Sequence, residues 1–191
     1  MEDQQICHIF NRGNNRQKIF FCRENYTYFL RKVSRHLKPH LNILAYCLMP
    51  NHFHFLVQIK NGFDRYKYSQ GLAVTLRSYT RGINKRYNRT GSLFQQHTKV
   101  KNISESANPD YYAFICFQYI HQNPLRAKLA NRFEEWEWCS FREYLNPSET
   151  LFCDTTLAKG LLDFPSDHRA FVAFSKSVIS EKDLIFTHET P

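Results

Sequence analysis

The pattern of hydrophobic and polar positions in the first third of the chain predicts a strand, a helix and a hairpin. Side chains alternate between two faces from Ile6 to Phe10, as in a half-buried strand. Hydrophobic residues recur at helical spacing from Glu24 to Leu37. The segments Leu41–Leu48 and Phe53–Ile59 are rich in apolar and aromatic residues, and the turn-forming residues Met49–Asn51 lie between them. We therefore expect these two segments to pair as an antiparallel hairpin.

The pattern continues with two more helices and one more strand. A hydrophobic stripe from about Tyr68 to Tyr87 predicts a second helix, whose other faces are strongly basic. We expect a strand in the second half of Leu93–Val100. A proline at position 109 predicts the start of a third helix, which runs from Asp110 to Gln122 or Asn123.

The resulting order of elements predicts an α+β fold. It is strand, helix, strand, strand, helix, strand, helix, and the first six follow the order of a ferredoxin-like split βαβ unit. Such a unit has an antiparallel sheet covered by helices on one face. We expect the other face to stay free for a site or a ligand. The third helix is then an addition to this core.

The C-terminal part of the chain is expected to be less regular. A short helix is expected for Leu125–Ala130, directly after a proline. Trp136–Trp138 and Tyr144 are expected to pack as the last part of the domain. We therefore place one domain at residues 1–145 and a partly structured tail at residues 146–191, with a helix near Ala170–Val178.

Composition supports a folded protein with a polyanionic partner. The chain has 191 residues, of which 42% are hydrophobic and 16% aromatic, enough for a packed core. Lysine and arginine number 26 against 17 aspartate and glutamate, which gives a formal charge of +9. A basic balance of this size favours nucleic acid as the partner. The alternative is a basic protein that has no polyanionic partner.

The N-terminus, the apolar runs and the cysteines indicate the cellular location of the protein. The N-terminus is polar and acidic, and no apolar run is long enough to span a membrane. These features predict a cytoplasmic protein without a membrane partner. The 6 cysteines include no pair at Cys-x-x-Cys spacing. We therefore expect reduced cysteines that serve in packing, not a zinc ribbon or a redox motif.

Two histidines at the start of the second hairpin strand are candidate metal ligands. His52 and His54 are two residues apart, so their side chains point to the same face of a strand. Two imidazoles at this spacing can bind one metal ion if a third group meets them. The alternative is an ordinary half-buried or solvent-facing pair, which the spacing alone does not exclude.

The third predicted helix carries a tyrosine and an amide that can complete such a site. Tyr119 and Asn123 are neighbours at the helical spacing i, i+4. If the helix packs beside the histidine strand, all four side chains gather in one place. Tyr119 can equally be a core or rim residue, since it is one of 11 tyrosines. Asn123 can instead cap a following turn, and Pro124 after it disfavours helical geometry at Asn123.

A site with these four residues has a coherent chemistry. Two imidazoles and one amide oxygen can hold a divalent ion, which polarises and orients a phosphate. The hydroxyl of Tyr119 can then attack phosphorus and become covalently joined to DNA. Mixed nitrogen and oxygen ligation fits manganese or magnesium, and manganese should serve well.

Four motifs, in order, resemble those of the single-tyrosine HUH transposases (IS200-like transposases), and more narrowly their branch of REP-associated tyrosine transposases. These motifs are Asn11–Arg16, Ala45–His54, Gly91–Gln95 and Tyr119–Ala127. The resemblance covers roughly residues 5–145 of the chain.

The resemblance implies a ferredoxin-like nuclease core that cuts single-stranded, hairpin-containing DNA through a 5′-phosphotyrosine intermediate. It maps the nucleophile onto Tyr119, the metal-binding histidine pair onto His52 and His54, and the helical metal ligand onto Asn123. Relatives in this branch recognise a short tetranucleotide beside an imperfect palindromic hairpin. We assign DNA contact to six further residues, which are Arg12, Asn14, Arg16, Gln95, Lys99 and Arg126.

One segment departs from the family pattern. After Gln95 the family usually continues with Gly-Arg and an aromatic residue before a lysine, whereas this chain has Gln96-His97-Thr98 before Lys99. Lys99 keeps the basic position, but the neighbouring arginine is replaced, so we expect DNA affinity or target choice to differ here. A C-terminal extension in this branch favours a monomer, whereas shorter relatives form dimers.

Two hypotheses of different classes follow. The first is an enzyme, namely a metal-dependent DNA transposase that acts as a single-strand DNA nuclease and transesterase. The alternative is a catalytically inactive or domesticated relative that binds structured single-stranded nucleic acid without cutting it. The two hypotheses agree on charge and fold, and they differ on whether Tyr119 and the histidine pair act chemically.

Overall fold

A four-stranded antiparallel sheet forms the centre of the molecule. The computed structural model describes residues 1–146, 152–162, 164–165 and 167–187. Within these residues the strands are β1 (Ile6–Arg12), β2 (Leu41–Met49), β3 (His52–Ile59) and β4 (Lys99–Asn102). They lie in the order β2-β3-β1-β4, and each neighbouring pair is antiparallel. The predicted fold class and the predicted hairpin are confirmed.

Two helices, α1 (Arg23–His36) and α2 (Arg65–Arg86), cover one face of the sheet. Their large buried side chains include Phe29 of α1 and Tyr79 of α2, which pack in one core with Phe53 of β3. The alternation of β3 explains this arrangement, because its phenylalanines all point to the face that these helices cover. The histidines of the same strand therefore point to the opposite face.

The second helix begins earlier than the hydrophobic pattern predicts. Its first residue is Arg65, whereas the apolar stripe begins at Tyr68. Asp64 caps the helix, since its carboxylate accepts hydrogen bonds from the backbone N–H groups of Tyr66 and Lys67, each at 3.0 Å. A capping carboxylate satisfies N–H groups that have no partner within the helix. The polar first turn is therefore stable without contributing to the apolar stripe.

The fourth strand begins later than predicted. Within Leu93–Val100, only Lys99 and the residue after it belong to β4. Leu93 and Phe94 are buried in the core between the sheet and α2, and Phe94 makes an isolated bridge to Gly13. The regular ladder between β1 and β4 therefore ends at the pair Phe10–Lys99, and pairing resumes only as the isolated Gly13–Phe94 bridge.

The second face of the sheet is not left free, contrary to our expectation. A third helix, α3 (Pro109–Arg126), lies over β2 and β3 on this face. Three further helices pack with it into a second core, namely α4 (Phe141–Leu145), α5 (Thr155–Leu162) and α6 (His168–Ser175). The added helix is thus part of a third layer, and it brings its side chains onto the histidine face.

The third helix continues through its proline, and the separate helix predicted for Leu125–Ala130 is wrong. The backbone N–H of Ala127 donates to the Asn123 carbonyl at 2.9 Å, and that of Leu129 donates to the Pro124 carbonyl at 2.9 Å. Proline cannot donate to the carbonyl four residues before it, so α3 lacks one hydrogen bond there, but the helix continues to Arg126. Asn123 therefore stays inside α3 and does not cap a new helix.

The predicted packing of the segment after α3 is confirmed. Trp136 Nε1 donates to the backbone carbonyl of Leu48 at 3.0 Å. The hydroxyl of Tyr144 donates to the backbone carbonyl of Leu44. Both bonds attach this segment to β2, so it closes the second core from the side of the hairpin.

The described residues after Asn146 are largely helical. The helix expected near Ala170–Val178 is present as α6, and a further helix, α7, spans Glu181–Thr187. Phe171 of α6 is buried in one core with Phe117 of α3. Residues 147–151, 163, 166 and 188–191 of the predicted tail lie outside the described residues, and the boundary after residue 145 stays a prediction. In the described part of the chain, no helix has the length and apolar character needed to cross a membrane.

Candidate active site

A cavity of about 340 Å³ opens where β1 ends and β3 begins. It lies between the second face of the sheet and α3. Side chains from both strands, the loop after β1 and α3 line it, and they are Phe10, Asn11, Arg12, Arg16, Asn51, His52, His54, Tyr119 and Asn123. All four residues predicted to form the catalytic and metal-binding site are therefore brought together.

The two histidines reach the cavity from the start of β3. In the pairing of β1 with β3, Phe10 lies opposite His54 and Arg12 lies opposite His52. Directly opposite residues share a sheet face, so these four side chains point the same way. The ring centroids of His52 and His54 are 5.0 Å apart, with ring planes at 82°. His54 is buried and His52 is partly buried, so the pair does not simply face solvent.

A contact on Nδ1 orients each of these imidazoles. His52 Nδ1 lies 2.7 Å from Asn51 Oδ1, and His54 Nδ1 lies 2.9 Å from Nε2 of His8. These contacts make Nε2 the ring nitrogen suited to a ligand role in both histidines. Burial lowers the pKa of His52 to about 4, an effect that a hydrogen bond to Asn123 opposes. The imidazole of His52 is therefore neutral near pH 7, which is the form that binds metal ions.

His8 is a part of the site that the sequence did not single out. It is fully buried on β1, and burial lowers its pKa to about 3, so it is neutral near pH 7. The alternation of β1 places His8 on the face of Phe10, and this signal was visible in the sequence. The contact with His54 depends on the pairing of β1 with β3, which the sequence pattern did not specify.

Tyr119 and Asn123 reach the cavity from adjacent turns of α3. Asn108 caps the start of this helix, with Pro109 in its first turn. The ring of Tyr119 lies edge-on to His54, with centroids 5.4 Å apart and planes at 85°. Asn123 Nδ2 donates to the backbone carbonyl of Tyr119 at 2.9 Å, and the Asn123 side chain also hydrogen-bonds to the Tyr119 side chain and to His52. This amide therefore links the helix to the histidine strand.

Burial controls the protonation of the tyrosine. It raises the pKa of Tyr119 to about 12, while the Asn123 hydrogen bond and the charge of Arg126 act in the opposite direction. The hydroxyl therefore keeps its proton near pH 7 in the protein alone. Further positive charge in the cavity would favour the phenolate and make the oxygen a better nucleophile.

The donor set fits a divalent ion. Two imidazole nitrogens and one amide oxygen converge on one cavity, which is mixed nitrogen and oxygen ligation of the kind that manganese accepts. The described residues contain no group of three histidine, cysteine, aspartate or glutamate side chains that could hold a metal ion. The third candidate donor is Asn123, an uncharged residue that such a pattern of ligand types does not include.

The residues assigned to DNA contact are distributed around this cavity. Arg12 and Arg16 line it, and Lys99 lies opposite Phe10 in the pairing of β1 with β4, on the same sheet face. Lys99 itself does not line the cavity, and neither do the other three assigned residues. They are Asn14, exposed in the short 3₁₀ turn Asn14–Arg16, Gln95, which lines a different groove, and Arg126, exposed at the end of α3. Contact of all six with DNA stays a prediction.

Comparison with known proteins identifies the family. The family described as IS200-like transposases matches residues 2–123, a range that includes His52, His54, Tyr119 and Asn123. The chain belongs to this family, so it is a DNA transposase, and the predicted family is confirmed.

A solved structure shares the fold. The REP-associated tyrosine transposase bound to a REP hairpin is similar with a TM-score of 0.59 and 16% sequence identity. The similarity covers 94% of this chain and 95% of that one. At this identity it establishes the shared fold alone. No curated protein sequence matches the chain.

Proposed function

We propose that this transposase breaks and rejoins single-stranded DNA through a covalent bond between Tyr119 and a 5′ phosphate. The observation that carries the proposal is the convergence of Tyr119, His52, His54 and Asn123 on one cavity. A nucleophilic hydroxyl and three metal-binding donors in one place are the groups that a phosphoryl transfer needs.

In the proposed reaction, the hydroxyl oxygen of Tyr119 attacks phosphorus. The bond from phosphorus to the 3′ oxygen of the preceding nucleotide breaks as the new bond forms. Tyr119 loses its hydroxyl proton in this step, and the departing 3′ oxygen takes up a proton to become a hydroxyl. Rejoining is the reverse step, in which a 3′ hydroxyl attacks the phosphotyrosine and Tyr119 regains its proton. The energy of the phosphodiester bond is conserved in the protein-linked intermediate.

The residues of the site would hold a divalent ion of the manganese or magnesium class. His52 and His54 would supply imidazole nitrogens, and Asn123 would supply its amide oxygen. When bound, such an ion polarises a phosphate oxygen and orients the phosphate for attack. Asn51 and His8 would keep the two imidazoles in the required orientation through their contacts with Nδ1.

Hairpin-containing single-stranded DNA is the proposed substrate. The formal charge of +9 favours a polyanion, and Arg12 and Arg16 provide cations at the cavity itself. The solved relative with the same fold is bound to a REP hairpin, which supports the same kind of partner here. Side chains such as these position the phosphate backbone, whereas base contacts select the sequence.

The test is a denaturing gel of end-labelled, hairpin-containing single strands, taken from the DNA that flanks the gene and incubated with protein and Mn²⁺. The expected result is a shortened strand together with a protein-linked species. Both products should be lost in Tyr119→Phe, because phenylalanine has no nucleophilic oxygen. Both should also be lost when a chelator removes the metal.

A matched control separates the nucleophile from a general effect on the helix. Tyr111 is an exposed residue of α3 that lies outside the cavity. Its hydroxyl donates a hydrogen bond to Oδ2 of Asp183 at 2.9 Å. Tyr111→Phe should therefore keep the covalent product. Binding of the hairpin strand without any covalent product in the unmodified protein would reject the proposal and favour a protein that only binds DNA.

A further inference from the structure

A second and larger groove lies on the opposite side of the sheet end from the candidate active site. It has a volume of about 970 Å³ and lies between the C-terminal half of α2 and the segment from Asn88 to Gln96. We call it the α2 groove. None of the four proposed catalytic and metal-binding residues lines it. The residues that line the α2 groove therefore need an explanation separate from that of the active site.

The charge of the α2 groove has one sign. Arg77, Arg81 and Lys85 are four residues apart along α2, so their side chains form one exposed stripe along the groove. Arg89 adds a fourth cation on the facing segment, where its guanidinium also donates to the side chain of Gln17 and lies over the ring of Phe21. Among the described residues, no aspartate or glutamate lines the groove or pairs with these four cations. Like charges at this spacing repel one another, so a polyanion in the groove would stabilise the helix.

Two polar atoms of groove residues have no hydrogen-bond partner in the described part of the protein. They are Oδ1 of Asn84, an acceptor, and Nη1 of Arg89, a donor, and both are buried. Buried polar atoms in proteins are nearly always hydrogen-bonded, so such atoms call for a ligand or water. The amides of Gln95 and Gln96 lie in the same groove and can contact base edges. The groove thus combines cations for phosphates with polar groups for bases.

The α2 groove adjoins the candidate active site. The backbone N–H of Gln95, in the groove, donates to the carbonyl of Arg12, in the active-site cavity, at 2.9 Å. Gly13 and Phe94, the next residues of each segment, form a bridge. One layer of backbone therefore separates the two concavities, and a flexible strand that leaves one can enter the other.

On the basis of the proposed function, we propose that the α2 groove binds the single-stranded segment of DNA that adjoins the phosphate attacked by Tyr119. A single strand is favoured over a duplex stem because the site is a concave space between a helix and a loop segment. Unpaired bases can also use its amides, whereas paired bases have their hydrogen-bonding edges partly occupied. The duplex stem would then lie elsewhere on the protein.

The test compares two charge-matched variants in a Tyr119→Phe background, so that cleavage plays no part. The groove variant is Arg77→Gln/Arg81→Gln/Lys85→Gln. The control is Arg31→Gln/Arg35→Gln/Arg65→Gln, which removes three exposed cations that line neither concavity. Fluorescence anisotropy would give affinity as a function of salt for a (dT)20 strand and for a blunt hairpin with no unpaired end.

The expected result is specific to the groove variant and to the unpaired strand. Each lost phosphate contact lowers the slope of log affinity against log salt by about 0.7, so three contacts lower it by about 2. At 0.1 M salt this corresponds to about a 100-fold loss of affinity for (dT)20. The control should retain nearly all of its affinity for (dT)20, and the blunt hairpin should bind both variants alike.

Equal losses in the groove variant and the control would overturn the proposal, as would an equal loss on the blunt hairpin. If thermal unfolding shows that the triple variant does not fold, Arg81→Gln alone should lower the slope by about 0.7. The covalent assay with Tyr119 intact is independent of these measurements. Its failure would reject the proposed chemistry, whereas failure of the salt-dependence test alone would reject the groove.

Discussion

At the scale of single residues, the contacts of the two candidate metal-binding histidines determine the orientation and tautomer of their rings. His8 forms a hydrogen bond with Nδ1 of His54, and Asn51 forms one with Nδ1 of His52. Neighbours of this kind set the tautomer and rotation of a metal-binding imidazole. His8 is buried, and burial lowers its pKa to about 3, so it can orient His54 without adding a charge to the site.

Replacing His8 tests whether this contact matters. His8→Leu should weaken Mn²⁺ binding by about 10- to 100-fold, because the leucine cannot hydrogen-bond to Nδ1 of His54. His8→Gln should retain most of the affinity, because its amide can reach a similar position. Electron paramagnetic resonance of Mn²⁺ in the absence of DNA measures this directly. Thermal unfolding of both variants controls for folding, and unchanged affinity in a folded His8→Leu protein would contradict the idea.

The sequence specified the candidate catalytic residues better than it specified their supports. The two-residue period of a strand places His52 and His54 on one face, the period of a helix makes Tyr119 and Asn123 neighbours, and the resemblance to the family assigns their roles. These periods are local properties, so they are visible in one short segment. The contact of His8 with His54 joins residues 46 positions apart, and it requires the register of two strands that no local pattern contains.

At the scale of elements, α1 and α2 pack closely against each other on the sheet face opposite the candidate active site. Helices α1 and α2 approach each other at Gly71, where a Cβ atom would lie 2.5 Å from the carbonyl oxygen of His36. That distance is far below a normal contact, and the neighbour is rigid backbone. Only glycine therefore allows this crossing of the two helices without a shift.

Gly71→Ala should therefore destabilise the protein by about 1–3 kcal/mol, as overpacking does. Gly160→Ala is a matched control in α5, where a Cβ atom would meet nothing within 4 Å. Its expected effect is a gain of up to about 1 kcal/mol, because alanine favours the helix more than glycine does. Urea denaturation of both variants measures these changes in the free energy of unfolding. A stable Gly71→Ala protein would show that the helices can move apart freely.

The elements themselves were predictable where their apolar stripes are long, as in α1 and α2. Their limits were less predictable, because Asp64 starts α2 through hydrogen bonds rather than through hydrophobicity. Pro124 gave a misleading signal, since a proline near a helix end removes only one bond. The segment at Phe94 has the composition of a strand, but its side chains are used to fill the core.

At the scale of the whole molecule, the C-terminal helices pack against α3, the helix that carries Tyr119. Phe171 of α6 and Phe117 of α3 belong to one core, with ring centroids 6.2 Å apart. The same core includes Leu44 and Met49 of β2, so the C-terminal helices pack on α3 and on the sheet together. The C-terminal segment is therefore expected to unfold together with the rest of the protein.

Phe171→Ala should lower the free energy of unfolding by about 3–5 kcal/mol, as the loss of a buried phenylalanine does. Val178→Ala removes a side chain that is 95% exposed, so it should change stability by less than about 0.5 kcal/mol. Differential scanning calorimetry should show one transition for each variant, at a lower temperature only for Phe171→Ala. Two separate transitions would instead indicate that the C-terminal segment is an independent unit.

The placement of Tyr119 and Asn123 on one helix also limits how this chain can vary over evolutionary time. Each residue inserted into or deleted from a helix rotates everything beyond it by about 100°. A single insertion between these two positions would point one of them away from the cavity, whatever residue was inserted. The loops of this protein can change length without such an effect, but the interval of four residues within α3 cannot. Variation in this part of the site is therefore confined to substitutions, and a homologue with a different interval would no longer bring these two side chains into one cavity.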